Sequence, residues 1–349
     1  MKPRRSPHIK VIDRATAQHI DRRGFMKTVA GSTLSLSAAA SGLPLLSSKA
    51  NAADAIKPPI IDTHMHVWGN DTKRYPFPHP YSSDFKNAPH PATVEMLNED
   101  MDKYGCTHSV LVQVIYHGWD NTYVADCVKR FPDKYKAHGL IDPTDPKVAD
   151  KLEYWMKEHG LHGMRFSAIY YQNGNHGGAG WVTAPETHRL WRKAEELGAV
   201  FNFFIAPKQL PKLEDMVKAH PSVRITLDHF SQMDLKRDDP ESDIRKLLAM
   251  ARYPNVWVKI SELTAVSNSG KYPFADAYPF VKRVYEAFGP DRLLFGTGYP
   301  GQARADYGRP NLGMEIDLIR NKNPCFTKED SEKILGRNAA YLWGFTRYS

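Results

Sequence analysis

The stretch IIDTHMHVW places His64 and His66 two residues apart after an apolar run. Residues two apart on a strand share a face, so both imidazoles, with Asp62 below them, point the same way. Two converging imidazoles bind a divalent metal or orient a polar substrate. LDHF ends another apolar run in Asp228 and His229, and His229 reads as a candidate acid, base or ligand. GMRF carries Arg165, a lone cation among apolar neighbours. It needs an anion, either a substrate carboxylate or phosphate or a structural salt-bridge partner. Gln113 ends VLVQ and reads either as a polar contact for substrate or as a satisfied group under residues 116–121. In VKISEL, Lys259 and Ser261 share a face, and Glu262 lies on the other face or in the turn. Lys259 is either a cation facing substrate or the partner of an inward carboxylate. LLFGTGYP closes the series with Gly298 and Tyr299.

These groups stand at the ends of regularly spaced apolar runs. The pattern predicts strands at 60–66, 109–114, 137–141, 163–166, 200–205, 224–228, 256–261 and 292–297. Amphipathic stretches predict helices at 92–104, 122–130, 147–158, 185–197, 210–219, 241–251 and 276–288, with two or three more after Gly308. Eight strands alternating with helices give a (β/α)₈ TIM barrel in a single domain, with reactive groups at the carboxyl ends of the strands. A doubly wound sheet is the rival, but no GxGxxG or P-loop follows a strand. The long segments 68–91 and 168–184 follow strands one and four and are expected to act as lids. They are rich in Gly, Pro and aromatic residues.

The 349-residue chain has a formal charge of +8, but residues 1–52 hold nine Lys and Arg against two Asp. That segment accounts for almost all of the excess, so the remainder gives no electrostatic case for nucleic acid or an anionic membrane. Within it, DRRGFMK precedes a weakly apolar stretch and then Ala50-Asn51-Ala52. The order reads as a cleaved twin-arginine signal over 1–52, with 53–349 as the barrel, and implies export to the periplasm with no membrane attachment afterwards. Cys106, Cys127 and Cys325 form no metal motif and read as buried thiols.

Taken together, HMH after IID, HGWDNTYV, GLIDP, LHGMRF, LDHF, VWVKIS, FGPDRLLFGTGYP and ILGRNAAYLW resemble the amidohydrolase-related branch of the amidohydrolase superfamily. The likeness is greatest to its group of 2-pyrone-4,6-dicarboxylate and sugar-lactone hydrolases. The resemblance implies a (β/α)₈ barrel. It implies that His64 and His66 match the first-strand pair, Arg165 the fourth-strand cation and His229 the sixth-strand histidine. Metal-dependent relatives add a histidine after strand five and an aspartate after strand eight, whereas lactonase relatives often work without tightly bound metal. Two positions depart from the pattern: VFNFFIAP has no histidine, and Gly298 stands where the family has the aspartate that acts as base or ligand. A divalent zinc or manganese ion on His64 and His66 would therefore have too few fixed ligands for a tight site, and no cofactor is expected to be required. His229 is the first choice to replace the missing base, ahead of Asp228, Glu262 and Asp306. A neutral imidazole is a competent base near pH 7, while Tyr299 is too weakly basic and reads as a substrate contact. The leading expectation is hydrolysis of a lactone or related ester in a small, carboxylated molecule. Arg165, with Lys259, would hold its anion, and His64 and His66 would polarise the carbonyl. A metal-dependent amidohydrolase or decarboxylase with a reduced site is the second expectation. A barrel that binds a ligand without turning it over is the third.

Overall fold

The computed structural model describes residues 57–169 and 179–345, so residues 1–52, which the sequence reading takes as a signal, and most of the segment 168–184 expected to act as a lid lie outside the described residues. Eight parallel strands follow in chain order: β1 (Ile61–Met65), β2 (His108–Val112), β3 (Tyr135–Gly139), β4 (Gly163–Ser167), β5 (Val200–Phe204), β6 (Arg224–Leu227), β7 (Val256–Ile260) and β8 (Leu293–Phe295). Each pairs with the next, and a bridge between Met65 and Gly298 joins the first to the last. This is the expected (β/α)₈ barrel.

Helices cover the outside because each carries one apolar stripe. Val94–Tyr104 buries Val94, Leu97 and Met101, the spacing of one helical face. Its first turn is capped by Thr93, whose side chain accepts from the Met96 amide. Helices Thr122–Arg130, Val148–Lys157, Thr187–Leu197, Leu210–Ala219, Glu241–Ala249 and Tyr278–Phe288 repeat the arrangement. The last helix of the described chain, Asn338–Trp343, does something different. Ala339, Ala340, Leu342, Trp343 and Phe345 pack with Ile61, Val110, Val200, Trp257 and Leu294 from five strands. The Trp343 indole donates to His138 Nε2 at 2.8 Å. The barrel is thus plugged beneath the layer that carries His64 and Lys259.

The third strand begins two residues earlier than its apolar pattern indicates, because Tyr135 is buried and its hydroxyl donates to Asn98 at 2.6 Å. The last strand is shorter than expected. At Gly296 a Cβ would lie 2.9 Å from that of His64, so the chain can pass beside the histidine only without a side chain.

Candidate active site

A cavity of about 730 Å³ opens at the carboxyl ends of the strands. His66, Arg165, Ser167, Phe204 and His229 line it from the strand ends, together with Gln232, Glu262, Tyr299 and Arg309 from the loops. His79, Tyr81 and Tyr116 close it from the loops after β1 and β2.

Beneath it lies a fully buried floor. His66 Nδ1 sits 2.8 Å from the Val112 carbonyl oxygen, which can only accept, so Nδ1 carries the proton. Burial lowers the pKa of His66 to about 3, so the ring is neutral and its Nε2 is bare. His64 Nε2 lies 3.1 Å from that Nε2 and must donate to it. His64 is also held neutral, chiefly by burial, which lowers its pKa well below the ordinary imidazole value. Its Nδ1 is therefore an acceptor. It faces Asp228 Oδ1 at 3.0 Å, and Lys259 Nζ lies 3.3 Å from Nδ1 and 3.1 Å from Oδ1. One ammonium thus bridges two acceptors that would otherwise repel. The other Asp228 oxygen accepts from Arg165 Nε at 3.0 Å and from Asn202 at 2.8 Å. Burial alone would raise the Asp228 pKa, but the Lys259 and Arg165 cations outweigh it and keep the carboxylate ionised.

The rim is built by irregular backbone. Directly after Asp228, His229, Phe230, Ser231 and Gln232 all have positive φ, from 48° to 57°. This is one turn of left-handed helix without a glycine, at a cost of about 1–2 kcal/mol per residue. It stacks the His229 ring edge-on against His64, with centroids 4.3 Å apart. His229 Nδ1 then lies 2.7 Å from Ser261 Oγ, and Nε2 lies 3.6 Å from Glu262 Oε1. Burial lowers the His229 pKa, so the ring is neutral near pH 7. Glu262 is itself in the left-handed region, with φ 57°, and accepts from Arg309 at 2.9 Å. Burial works to raise its pKa, but His229 and Arg309 outweigh that and hold it below the ordinary glutamate value. The Arg165 guanidinium lies over the Phe204 ring at 4.6 Å. Gln232 has a buried amide nitrogen with no hydrogen-bond partner among the described residues.

Of the residues singled out from sequence, His66, His229, Arg165 and Tyr299 line the cavity. His64 touches His66 and His229 but is buried beneath them, so it does not reach a substrate carbonyl itself. Gln113 is not a substrate contact. Its amide donates to the Asp120 carbonyl at 2.5 Å and its oxygen accepts from the Val114 amide, which fixes the loop after β2. Lys259 does not hold a substrate anion, being fully buried on the inward carboxylate Asp228. Tyr299 stacks on Tyr307 with centroids 4.4 Å apart, and burial pushes its pKa up to about 12. Gly298 works through its backbone: its carbonyl accepts from the His66 amide at 2.7 Å, and its φ is 131°. Asp62 likewise serves the seam between β1 and β8, accepting from the Thr297 amide and hydroxyl. Arg309, Gln232 and Tyr116 went unnoticed in the sequence. The charge of Arg309 amid the run YGRPN was a usable signal; the other two carried none.

His64, Asp228 and His229 each place a ligand atom within 4.8 Å of the others, the one such group among the described residues. A divalent ion does not fit that group as it is folded. Both Asp228 oxygens are taken by cations, and the Lys259 ammonium lies against both Oδ1 and His64 Nδ1. At about 4 Å, a divalent ion and a unit positive charge repel by about 8 kcal/mol at an effective dielectric constant near 20.

The "Amidohydrolase" family model matches residues 61–345. The chain is 28% identical over 284 residues to a 4-sulfomuconolactone hydrolase of Rhizobium radiobacter, covering 81% of this chain and 89% of that one. It is 22% identical to an L-fucono-1,5-lactonase of Burkholderia ambifaria, covering 83% and 97%. Among solved structures it is similar to a probable 2-pyrone-4,6-dicarboxylic acid hydrolase of Acinetobacter baumannii, with a TM-score of 0.62 and 21% identity over 82% of this chain and 99% of that one. With the strand-end histidines, the eight-stranded barrel and a match over nearly all of the described residues, the chain belongs to the amidohydrolase family and is a hydrolase.

Proposed function

We propose that the chain hydrolyses a lactone in a small anionic molecule by direct attack of water. The observation that carries this reading is the pairing of a neutral His229 with an ionised Glu262 on the cavity wall. The gap of 3.6 Å between His229 Nε2 and Glu262 Oε1 lets one water approach both at about 2.8 Å. His229 takes the water proton as the oxygen attacks the carbonyl carbon. Glu262 stabilises the imidazolium that forms. Arg165 faces the charge that develops on the carbonyl oxygen, preorganised by Asp228 and Phe204. When the ring C–O bond breaks, the imidazolium returns its proton to the leaving alkoxide. Asp228 with Lys259, and Glu262 with Arg309, leave Arg165 in excess, so the cavity favours an anion. The relatives named for sulfomuconolactone and for pyrone dicarboxylate act on, or are named for, anionic rings.

The test is proton release from a panel of lactones with and without a carboxylate or sulfonate. Anionic members are expected to turn over at least about tenfold faster than their uncharged analogues. Arg165→Met should erase that preference. If uncharged lactones are preferred, the anion assignment fails. We also place the protein in the periplasm on its paired Arg22 and Arg23. Replacing both by lysine should hold it in the cytoplasmic fraction.

A further inference from the structure

The floor of the site already contains a cation, and that cation belongs to the chain. Lys259 is fully buried. It stands on β7 two residues after Trp257, which faces the plug inside the barrel, so it points inward by strand alternation. Its ammonium lies 3.1 Å from Asp228 Oδ1 and 3.3 Å from His64 Nδ1. Asp228 Oδ1 and His64 Nδ1 themselves approach to 3.0 Å. An ammonium can only donate, so its approach to His64 Nδ1 makes that nitrogen an acceptor. Two acceptors at that distance need a positive group shared by both, and Lys259 supplies it. The same two residues, with His229, are the group whose ligand atoms converge within 4.8 Å.

We propose that Lys259 is a built-in replacement for a divalent ion. Its ammonium holds His64 and Asp228 in register, dictates that His64 carries its proton on Nε2, and excludes a metal from the centre. It is a positioning residue, since it touches neither the cavity nor a substrate. The assignment does not depend on which ester bond the enzyme cleaves. It also makes a latent site explicit: without the ammonium, His64, Asp228 and His229 offer two neutral nitrogens and a carboxylate to a tetrahedral ion.

Two measurements test this. The first is the histidine tautomers of the wild-type protein by long-range ¹H–¹⁵N correlation, with the His64 signals assigned from their loss in His64→Gln. Proton on Nε2 of His64 and on Nδ1 of His66 is expected; proton on Nδ1 of His64 overturns the proposal. The second is zinc content after equilibration with excess zinc and gel filtration. Wild type should retain less than about a tenth of an equivalent, and Lys259→Met about one per chain. The gain should vanish in Lys259→Met with His64→Ala. Stoichiometric, His64-dependent zinc in the wild type overturns the proposal, as does a folded Lys259→Met that takes up none. A Lys259→Met chain that folds only when zinc is supplied supports it. If that variant folds under neither condition, the tautomer measurement alone decides.

Discussion

The floor of the site and its rim use the same residue types in opposite states of engagement. On the floor, His64, Asp228 and Lys259 are fully buried and hold one another, and Arg165 and Asn202 donate to the second Asp228 oxygen. At the rim, His229 and Glu262 meet at 3.6 Å, too far for a hydrogen bond, and Gln232 has an amide nitrogen with none among the described residues. A saturated group can orient its neighbours but cannot take a new partner. A group with valence to spare can receive water and substrate. The floor is made by regular strands, whereas the rim is made by residues forced to positive φ. Precision is thus supplied by the sheet and reactivity by the strained turns on top of it.

The comparison can be broken first at the rim. His229→Ala should lower lactone turnover by about 10²–10⁴-fold while leaving the thermal midpoint close to that of wild type. Full turnover in that variant would remove His229 as the base. On the floor the balance reverses. Asp228→Ala leaves Lys259 and Arg165 without their shared carboxylate and should destabilise the fold by about 3–5 kcal/mol in denaturant titrations. A fold unaffected by the change would show that the floor is not saturated as described.

A third test lies in the network behind the seam. Glu315 is buried near Arg304, and burial pushes its pKa up from 4.5 to about 7. Between those values the folded chain holds a proton that the unfolded chain has lost, so stability falls as pH rises through this window. The loss amounts to about 3 kcal/mol. Glu315→Gln should abolish the slope, seen by comparing denaturant midpoints at pH 5 and pH 8. The same slope in the variant would locate its origin elsewhere. The smallest effect is expected in the left-handed turn itself. Ser231→Gly relieves a positive φ and should stabilise the fold by about 1 kcal/mol, with turnover falling if the turn loosens around His229.

The barrel was legible because strand and helix periods alternate without interruption, and His66, Arg165 and His229 were legible because each ends an apolar run. What the sequence leaves open depends on contacts that only the folded chain supplies. Lys259 was recognisable as either a mouth cation or an internal partner, and only its position beside Asp228 decides for the latter. Gln113 had the same ambiguity, resolved by the Asp120 carbonyl seven residues away. The sequence leaves Glu262 either on the opposite strand face or in the turn, because no sequence rule assigns a non-glycine residue to φ 57°. Gly298 is expected as a vacancy among the reactive groups, and its carbonyl in addition closes the barrel onto His66. A Cβ there would meet no atom within 4 Å, so Gly298→Asp has room and pays only the strain of its φ.

The turn at residues 229–232 also restricts how the protein can vary. Valine, isoleucine and threonine are poorly tolerated in four successive mirror-handed positions, so this segment is closed to the residues that strands favour. Were it to relax into an ordinary right-handed coil, the imidazole would swing off Ser261 and away from Glu262. Backbone chirality and reactivity are therefore a single inherited trait in this enzyme, and drift can reach one only by disturbing the other.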